Sequence, residues 1–200
     1  MTRDETMNVS GEPPEPDRMR IDAQVHDRAR MYVANRDLTI NTAPAAEDPF
    51  LQGVTYLQRK QYSLATTALE LATRDPRNSA RAHFLLAVAL LDGRRPRLHQ
   101  NGRRGIKRIE RELEQALSRS PDHAGALLLW AIIKEDYYQG NHYDFSPPPP
   151  GELLSSALGA LDAADEANDE DVAAILTHVE AGGSSVRRFL EEHFQRKKEQ

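Results

Sequence analysis

Glu135, Asp136 and His142 are the residues of this sequence whose types come closest to a catalytic or metal-binding group. Two carboxylates and an imidazole can hold a divalent metal or transfer protons. Neighbouring residues on a helix point about 100° apart, so Glu135 and Asp136 are not arranged in advance to chelate one ion. The sequence also lacks cysteine and the motifs of serine hydrolases, phosphate-binding loops and zinc proteases. We therefore expect a protein that is not an enzyme and needs no cofactor; a small metal-dependent enzyme at these three residues is an alternative.

A second group that could do chemistry is a run of basic residues in a chain whose formal net charge is −5. The run consists of Arg94, Arg95, Arg97, Arg103, Arg104, Lys107, Arg108 and Arg111. Such a run can bind phosphate, nucleic acid or an acidic partner. It can equally be a solvated segment whose charges pair with Glu110, Glu112 and Glu114. No aromatic residue is interleaved with the basic ones, so stacking of single-stranded nucleic acid is poorly supported. Nucleic acid is therefore not the partner that we expect.

Residues 29–41 alternate in the way typical of two short β-strands around a polar turn at residues 35–37. The residues that carry this pattern are Met31, Tyr32, Val33, Ala34, Arg36, Asp37, Leu38 and Ile40. The segment resembles a short aromatic-x-Ala-x-Arg-Asp motif of actinobacterial signalling proteins, which lies at the termini of nucleotide-binding switches and of their effectors. That resemblance implies an amyloid-like adaptor, in which identical segments stack between proteins. The alternative is a hairpin or extended arm that packs on the rest of the chain.

The elements that would position all of these residues are helices. Residues 48–121 predict two helical hairpins, and a third begins just beyond them. Small residues at Gly53 and Ala65 would let the first two helices approach closely, and Pro76 stops the second helix. Gly53 and Ala87 lie thirty-four residues apart, which is the period of the tetratricopeptide repeat. The repeat pattern is carried by Gly53, Tyr56, Ala65, Leu69, Ala72 and Pro76, then by Ala82, Leu86, Ala87, Leu90, Ile109, Leu113, Ala116 and Pro121, and finally by Leu127, Trp130 and Ala131.

Residues 48–164 resemble the tetratricopeptide-repeat family on this pattern. The chain departs from the family in a turn of the second unit that is about ten residues too long, and in a proline-rich break in the third. We predict an all-α fold of antiparallel helical hairpins, stacked as a short irregular solenoid, with a short N-terminal β-prone segment. An ordinary antiparallel helical bundle would show the same apolar spacing and is the alternative.

The resemblance also implies a concave groove lined by the first helix of each hairpin. The implied groove residues are Phe50, Val54, Leu57, Phe84, Val88, Leu91, Leu128 and Ile132, followed by Glu135. Some members of the family grip a C-terminal carboxylate with Lys, Asn and Arg at such positions, and those residue types are absent here. An apolar groove suits an amphipathic helix or an internal protein segment instead. The chain's own terminal helix, or the loop at residues 143–150, could also occupy it.

We divide the chain into a disordered tail at residues 1–20, a β-prone segment with a linker at 21–44, helical repeats at 45–165 and capping helices at 166–200. Within the last part we predict an acidic turn at residues 166–171, a short helix at 172–181 and a final helix capped by Ser184. No run of about 18–20 apolar residues is present and the start lacks a signal peptide, so we expect a cytoplasmic protein without membrane contact.

The predicted function is that of a non-enzymatic adaptor or scaffold that binds protein or peptide. The segment at residues 29–41 would recruit a partner from a signalling or conflict system, or a second copy of the chain. The alternative is a module that binds phosphate or nucleic acid through residues 94–111.

Overall fold

The computed structural model of the chain describes residues 30–34, 37–41, 48–77, 79–161, 166–180, 182 and 184–198. The chain divides after Ala46 into two units. The first unit contains strands β1 (Arg30–Ala34) and β2 (Asp37–Asn41), which pair antiparallel with Met31 opposite Ile40. In the second unit, all regular structure of the described residues is helical.

The first helix pair begins at Asp48. Its Oδ1 accepts a hydrogen bond from the backbone N–H of Phe50 at 2.9 Å, and proline occupies the first helical position, where its missing N–H costs nothing. Helix α1 (Pro49–Gln58) packs against α2 (Tyr62–Ala72). A Cβ added at Gly53 would lie 2.6 Å from Cγ of Leu69, so the predicted close approach of these two helices is present.

The second pair consists of α3 (Ser79–Leu90) and α4 (Gly102–Arg119), joined by a segment with a short 3-10 turn at Pro96–Leu98. Nine of the twelve residues of α3 are buried, so this helix has neighbours on all sides. Helix α4 begins at Gly102, so the last residues of the long turn in the second unit are helical.

The third pair consists of α5 (Ala124–Ile133) and α6 (Pro150–Leu161). His123 caps α5, because its Nδ1 accepts the backbone N–H of Ala126 at 3.3 Å. The helix continues into a π-helical turn, Lys134–Gln139, whose hydrogen bonds reach one residue further along the chain than those of an α-helix. The first helix of the third pair therefore continues from Ala124 to Gln139, with a wider last turn.

Two further helices, α7 (Glu166–His178) and α8 (Ser185–Lys198), pack across the pairs. α7 contacts α3 and α5, and α8 contacts α5 and α7. The prediction of an acidic turn at residues 166–171 is wrong, because those residues form the start of α7. Carboxylates are favourable in the first turn of a helix, where they face the positive end of its dipole.

A continuous core joins the helices of the second unit. Its largest fully buried side chains are Leu69, Phe84, Leu91, Ile106, Ile109, Leu113, Leu128, Leu129, Ile132, Ile133, Lys134 and Tyr138. The predicted all-α fold class, built from packed helix pairs, is confirmed for this unit. None of the helices in the described residues has the length and apolar character needed to cross a bilayer.

Candidate functional site

The predicted groove residues lie mostly inside the core. Phe84, Val88, Leu91, Leu128 and Ile132 are all 0% exposed. Leu57 is buried as well, and Phe50 and Val54 are partly buried. For the buried residues the expectation of an open groove has to be corrected: nine of the twelve residues of α3 and nine of the ten residues of α5 are buried, so neighbouring helices cover most of both.

α7 packs on α3 and α5 and buries part of their surface. Polar contacts of α7 with both helices fix its orientation there. Asp171 is only 2% exposed, and it accepts a hydrogen bond from Nε of Arg81 on α3 at 2.9 Å. Its other oxygen lies 3.5 Å from Nε2 of His123, at the start of α5. The neighbouring carboxylate of Glu170 also pairs with Arg81. A buried carboxylate of α7 therefore faces groups from both helices that α7 covers.

α5 and α7 approach each other closely at Gly125. A Cβ added there would lie 2.9 Å from Cβ of Asp171 and 2.9 Å from Cζ of Phe84. Real Cβ atoms essentially never come so close, so a larger residue at position 125 would force Asp171 or Phe84 to move. The junction of α3, α5 and α7 is thus tightly packed around one small residue.

Glu135 holds the start of α8. Its carboxylate accepts hydrogen bonds from Oγ of Ser184 at 2.6 Å and from the backbone N–H of Ser185 and Val186 at 2.9 and 3.3 Å. Burial alone would raise the pKa of Glu135, but these hydrogen bonds outweigh it, and its pKa lies below the ordinary value. Glu135 thus caps the N-terminus of a helix that lies about fifty residues further along the chain.

Arg187 ties α8 to α7. Its Nη2 donates to the backbone carbonyl of Leu176 at 3.2 Å, its Nη1 donates to that of Val179, and its Nε pairs with Glu191 at 2.9 Å. These carbonyls belong to the end of α7, where a cation is favourable. We call α7 and α8 together the C-terminal arm.

The C-terminal arm leaves a groove open between α1, α3 and α7. This α1–α7 groove has a volume of about 460 Å³. Its apolar lining residues are Val54, Leu57, Leu85, Ala173 and Ala174, and its polar ones are Gln58, Arg81, Glu170, Thr177 and His178. Apolar walls with a few polar groups at the rim are typical of sites that bind a peptide or small ligand. Of the predicted groove residues, Val54 and Leu57 line this opening.

The basic residues do not form one patch. Nε and Nη2 of Arg95 donate to the buried Asp136 at 2.8 and 2.6 Å, and the backbone N–H of Arg97 donates to the same carboxylate at 2.9 Å. Arg94 pairs with Asp92 at 3.3 Å, and Arg108 pairs with Glu70. These contacts hold the segment before α4 and attach α4 to α2.

A smaller basic surface remains at the start of α4. It is a shallow concavity of about 780 Å³, lined by Arg103, Arg104, Lys107 and Arg111 together with Glu110 and Glu114. Lys107 pairs with Glu110 at 2.8 Å, and Nε of Arg111 donates to the carbonyl of Lys107. Within the part of the chain that the structure describes, Arg103, Arg104 and Arg111 form no ion pair.

Glu135, Asp136 and His142 are not brought together as a site. Glu135 faces α8, Asp136 faces Arg95, and His142 is exposed in the following loop with a φ of 58°. Among the described residues, no group of three or more His, Cys, Asp or Glu side chains could hold a metal ion. The two carboxylates diverge because they are adjacent on one helical turn.

A buried polar cluster beside the π-helical turn was missed by the sequence analysis. Glu110 accepts hydrogen bonds from Oη of Tyr138 at 2.8 Å and Nε1 of Trp130 at 3.3 Å. Nearby, Nζ of the fully buried Lys134 donates to the carbonyl of Ser146 at 2.7 Å and lies 5.0 Å from the ring centroid of Trp130. Burial lowers the pKa of Lys134. The only sequence signal was a lysine directly after an apolar helix.

The side chains of the strand segment lie outside the described structure, and so does Arg36. Stacking of residues 29–41 between chains stays a prediction. The same holds for the tail at residues 1–20.

No protein-family model matches this chain, and neither a curated protein nor a solved structure matches it.

Proposed function

We propose that this chain is a non-enzymatic protein-interaction module of tetratricopeptide-repeat type, which binds a segment of a partner protein in the α1–α7 groove. The observation that carries the proposal is the groove itself, which apolar and polar residues of three helices line. A cytoplasmic location, as expected from the sequence, is part of this proposal.

Three features support a protein ligand. The chain forms successive packed helix pairs, and the first of them has the close approach at Gly53 that the repeat pattern requires. The walls offer aliphatic side chains to the apolar face of an amphipathic segment. The polar part of the lining places a cation, Arg81, beside a carboxylate, Glu170, and includes His178, whose Nδ1 lies 3.5 Å from Oη of Tyr62. Such polar groups can fix the register of a bound peptide.

The experiment is a selection of displayed random peptides of about sixteen residues against the full chain, a length that allows several helical turns. We expect enriched peptides with apolar residues at helical spacing. Their affinity should fall at least about tenfold, or about 1.4 kcal/mol, for Ala174→Arg, which places a charge on the wall of the groove. Leu64→Arg on the exposed face of α2 is the matched control and should bind normally. Equal binding by the two variants, or a selection without enrichment, would reject the groove as the site.

A second candidate function is the binding of a phosphate-bearing polyanion at the start of α4. The specific observation is that Arg103 and Arg104 lie in the first turn of α4, where acidic residues are absent and cations are normally unfavourable. An anion at this place would relieve that repulsion. Glu110 and Glu114 in the same concavity weaken the field, which is why we rank this function second.

Its test is the binding of a labelled DNA duplex at several salt concentrations. The triple variant R103A/R104A/R111A should bind more weakly and show a salt slope reduced by about 0.9 per lost phosphate contact. The control triple variant R59A/R74A/R188A removes three exposed arginines elsewhere and should keep the wild-type slope. Absence of wild-type binding at low salt would dispose of this function.

A further inference from the structure

The C-terminal arm covers α3 and α5 with an amphipathic face of its own. Val172, Ile175 and Val179 are 3%, 0% and 2% exposed. Their spacing of three and four residues places them on one side of α7 and its final turn. α7 thus lies on α3 and α5 in the manner of a helical ligand in a groove.

The arm makes polar contacts with the rest of the chain at two places. Arg81, His123 and Glu135 belong to α3, to the start of α5 and to the π-helical turn after it. Their counterparts Asp171 and Ser184–Ser185 belong to the arm. The covered surface therefore has a cation at one end, which receives an acidic residue, and a carboxylate at the other, which receives a helix N-terminus.

The two helices of the arm also bind each other. Arg187 of α8 donates to two carbonyls at the end of α7, and Ser184 accepts the backbone N–H of Arg187 at 3.2 Å. The contacts that join α7 to α8 are thus separate from those that pack the helices from α1 to α6 against one another. Segments of this kind open below the global unfolding transition.

We propose that the C-terminal arm is a self-docked ligand that blocks a second binding surface on α3 and α5, and that the partner of this surface is an amphipathic helix with the chemistry of α7. Such a helix carries a carboxylate in its first turns for Arg81 and His123, and apolar residues one, four and eight positions further on, as in Asp171, Val172, Ile175 and Val179. This inference concerns a second surface and goes beyond the α1–α7 groove proposed above.

The test uses the full chain and, as the probe, a fluorescent peptide of residues 166–198, which is the arm itself. The release variant D171A/S184A/S185A removes the polar contacts on the arm and leaves Arg81, His123 and Glu135 in place to receive the peptide. The control variant E152A/S155A/S156A removes one acid and two serines from the exposed face of α6. Helical circular dichroism checks that each variant is folded.

We expect the peptide to bind the release variant at least tenfold more tightly than the wild type or the control, because the chain's own arm no longer competes. Adding R81E to the release variant should abolish that gain. A folded release variant that binds the peptide no better than the wild type would overturn the proposal.

Hydrogen exchange of the wild-type chain gives a measurement that does not depend on any variant. Backbone amides of α7 and α8 should exchange together, and at least tenfold faster than those of α3. Exchange of the arm at the same rate as α3 would overturn the proposal, since the arm would then open only on global unfolding. The two proposals can fail separately. If the peptide selection at the α1–α7 groove fails while the arm peptide binds the release variant and the arm exchanges faster than α3, the groove ligand is rejected and the self-docked arm is retained.

Discussion

Replacement of Gly53 by alanine tests whether the approach of α1 to α2 holds the first helix pair together. The added methyl carbon would lie 2.6 Å from Cγ and 2.7 Å from Cδ2 of Leu69. Carbon atoms in ordinary contact are about 3.5–4.0 Å apart, so the two helices must separate by roughly 1 Å or Leu69 must leave its rotamer. Leu69 is fully buried, so its side chain can move only against close-packed neighbours.

The size of the effect follows from two opposing terms. Overpacking of a well-packed core costs about 1–3 kcal/mol. Alanine in place of glycine inside a helix gains about 0.8–1 kcal/mol. Gly159 of α6 offers the matched control, because no neighbouring heavy atom lies within 4 Å of a Cβ added there. Gly159→Ala keeps the gain without the cost, so Gly53→Ala should be less stable than Gly159→Ala by about 1–3 kcal/mol.

The assay is urea unfolding followed by circular dichroism, in which a single domain loses about 1–3 kcal/mol of stability per molar urea. A second measurement isolates the contact itself: in a Leu69→Ala background the space opens, and Gly53→Ala should then be neutral or stabilising. If Gly53→Ala is as stable as Gly159→Ala, or if its effect is the same in both backgrounds, the close approach does not limit the packing and the reasoning fails.

Three further predictions concern buried charges and the strand segment. Lys134→Met should leave the free energy of unfolding unchanged or raise it by about 1 kcal/mol, because it removes a buried charge at similar volume. Lys134→Ala should lower the free energy of unfolding by about 2–5 kcal/mol, because it leaves a cavity. A Met variant as unstable as the Ala variant would contradict this reasoning. Burial lowers the pKa of His123 and of His178, so both stay neutral in the folded chain while the unfolded chain takes up protons. The free energy of unfolding should therefore be constant from pH 8 to 7 and fall as the pH drops below about 6.5; the double variant H123N/H178Q should flatten that fall, and an unchanged slope would refute the assignment. A synthetic peptide of residues 29–41 should form fibres with the 4.7–4.8 Å cross-β reflection, and a peptide that stays monomeric under the same conditions would remove the stacking-adaptor hypothesis.

The helix pairs could be predicted because their signals are local. Asp48 and Pro49 mark the start of α1, and the predicted contact of Gly53 with the second helix depends only on spacing along the chain. Pro76 and Pro121 mark the ends of α2 and α4 in the same way, since proline restricts the residue before it. The existence of these elements was accordingly predictable, with shifts of a few residues at their ends.

The site could not be predicted in the same way, because its contacts join residues far apart in sequence. Asp136 pairs with Arg95, and Arg108 pairs with Glu70, so a run that looks like one basic patch is divided among distant acids. The acidic run that begins α7 resembled a polar turn, and contacts with residues far along the chain, such as Arg81 and His123, are what let Asp171 tolerate burial. An apolar face on α3 likewise does not reveal whether solvent, a partner or the chain itself covers it.

The π-helical turn has a mechanical consequence for the chain. Glu135 binds the start of α8, and the next residue, Asp136, binds both the side chain of Arg95 and the backbone of Arg97. Because consecutive Cα atoms stay 3.8 Å apart, the contacts of Glu135 and those of Asp136 cannot shift independently of each other. A displacement of α8 therefore acts, through one peptide bond, on the segment that leads into α4. This π-helical turn thus couples the position of α8 to the position of that segment.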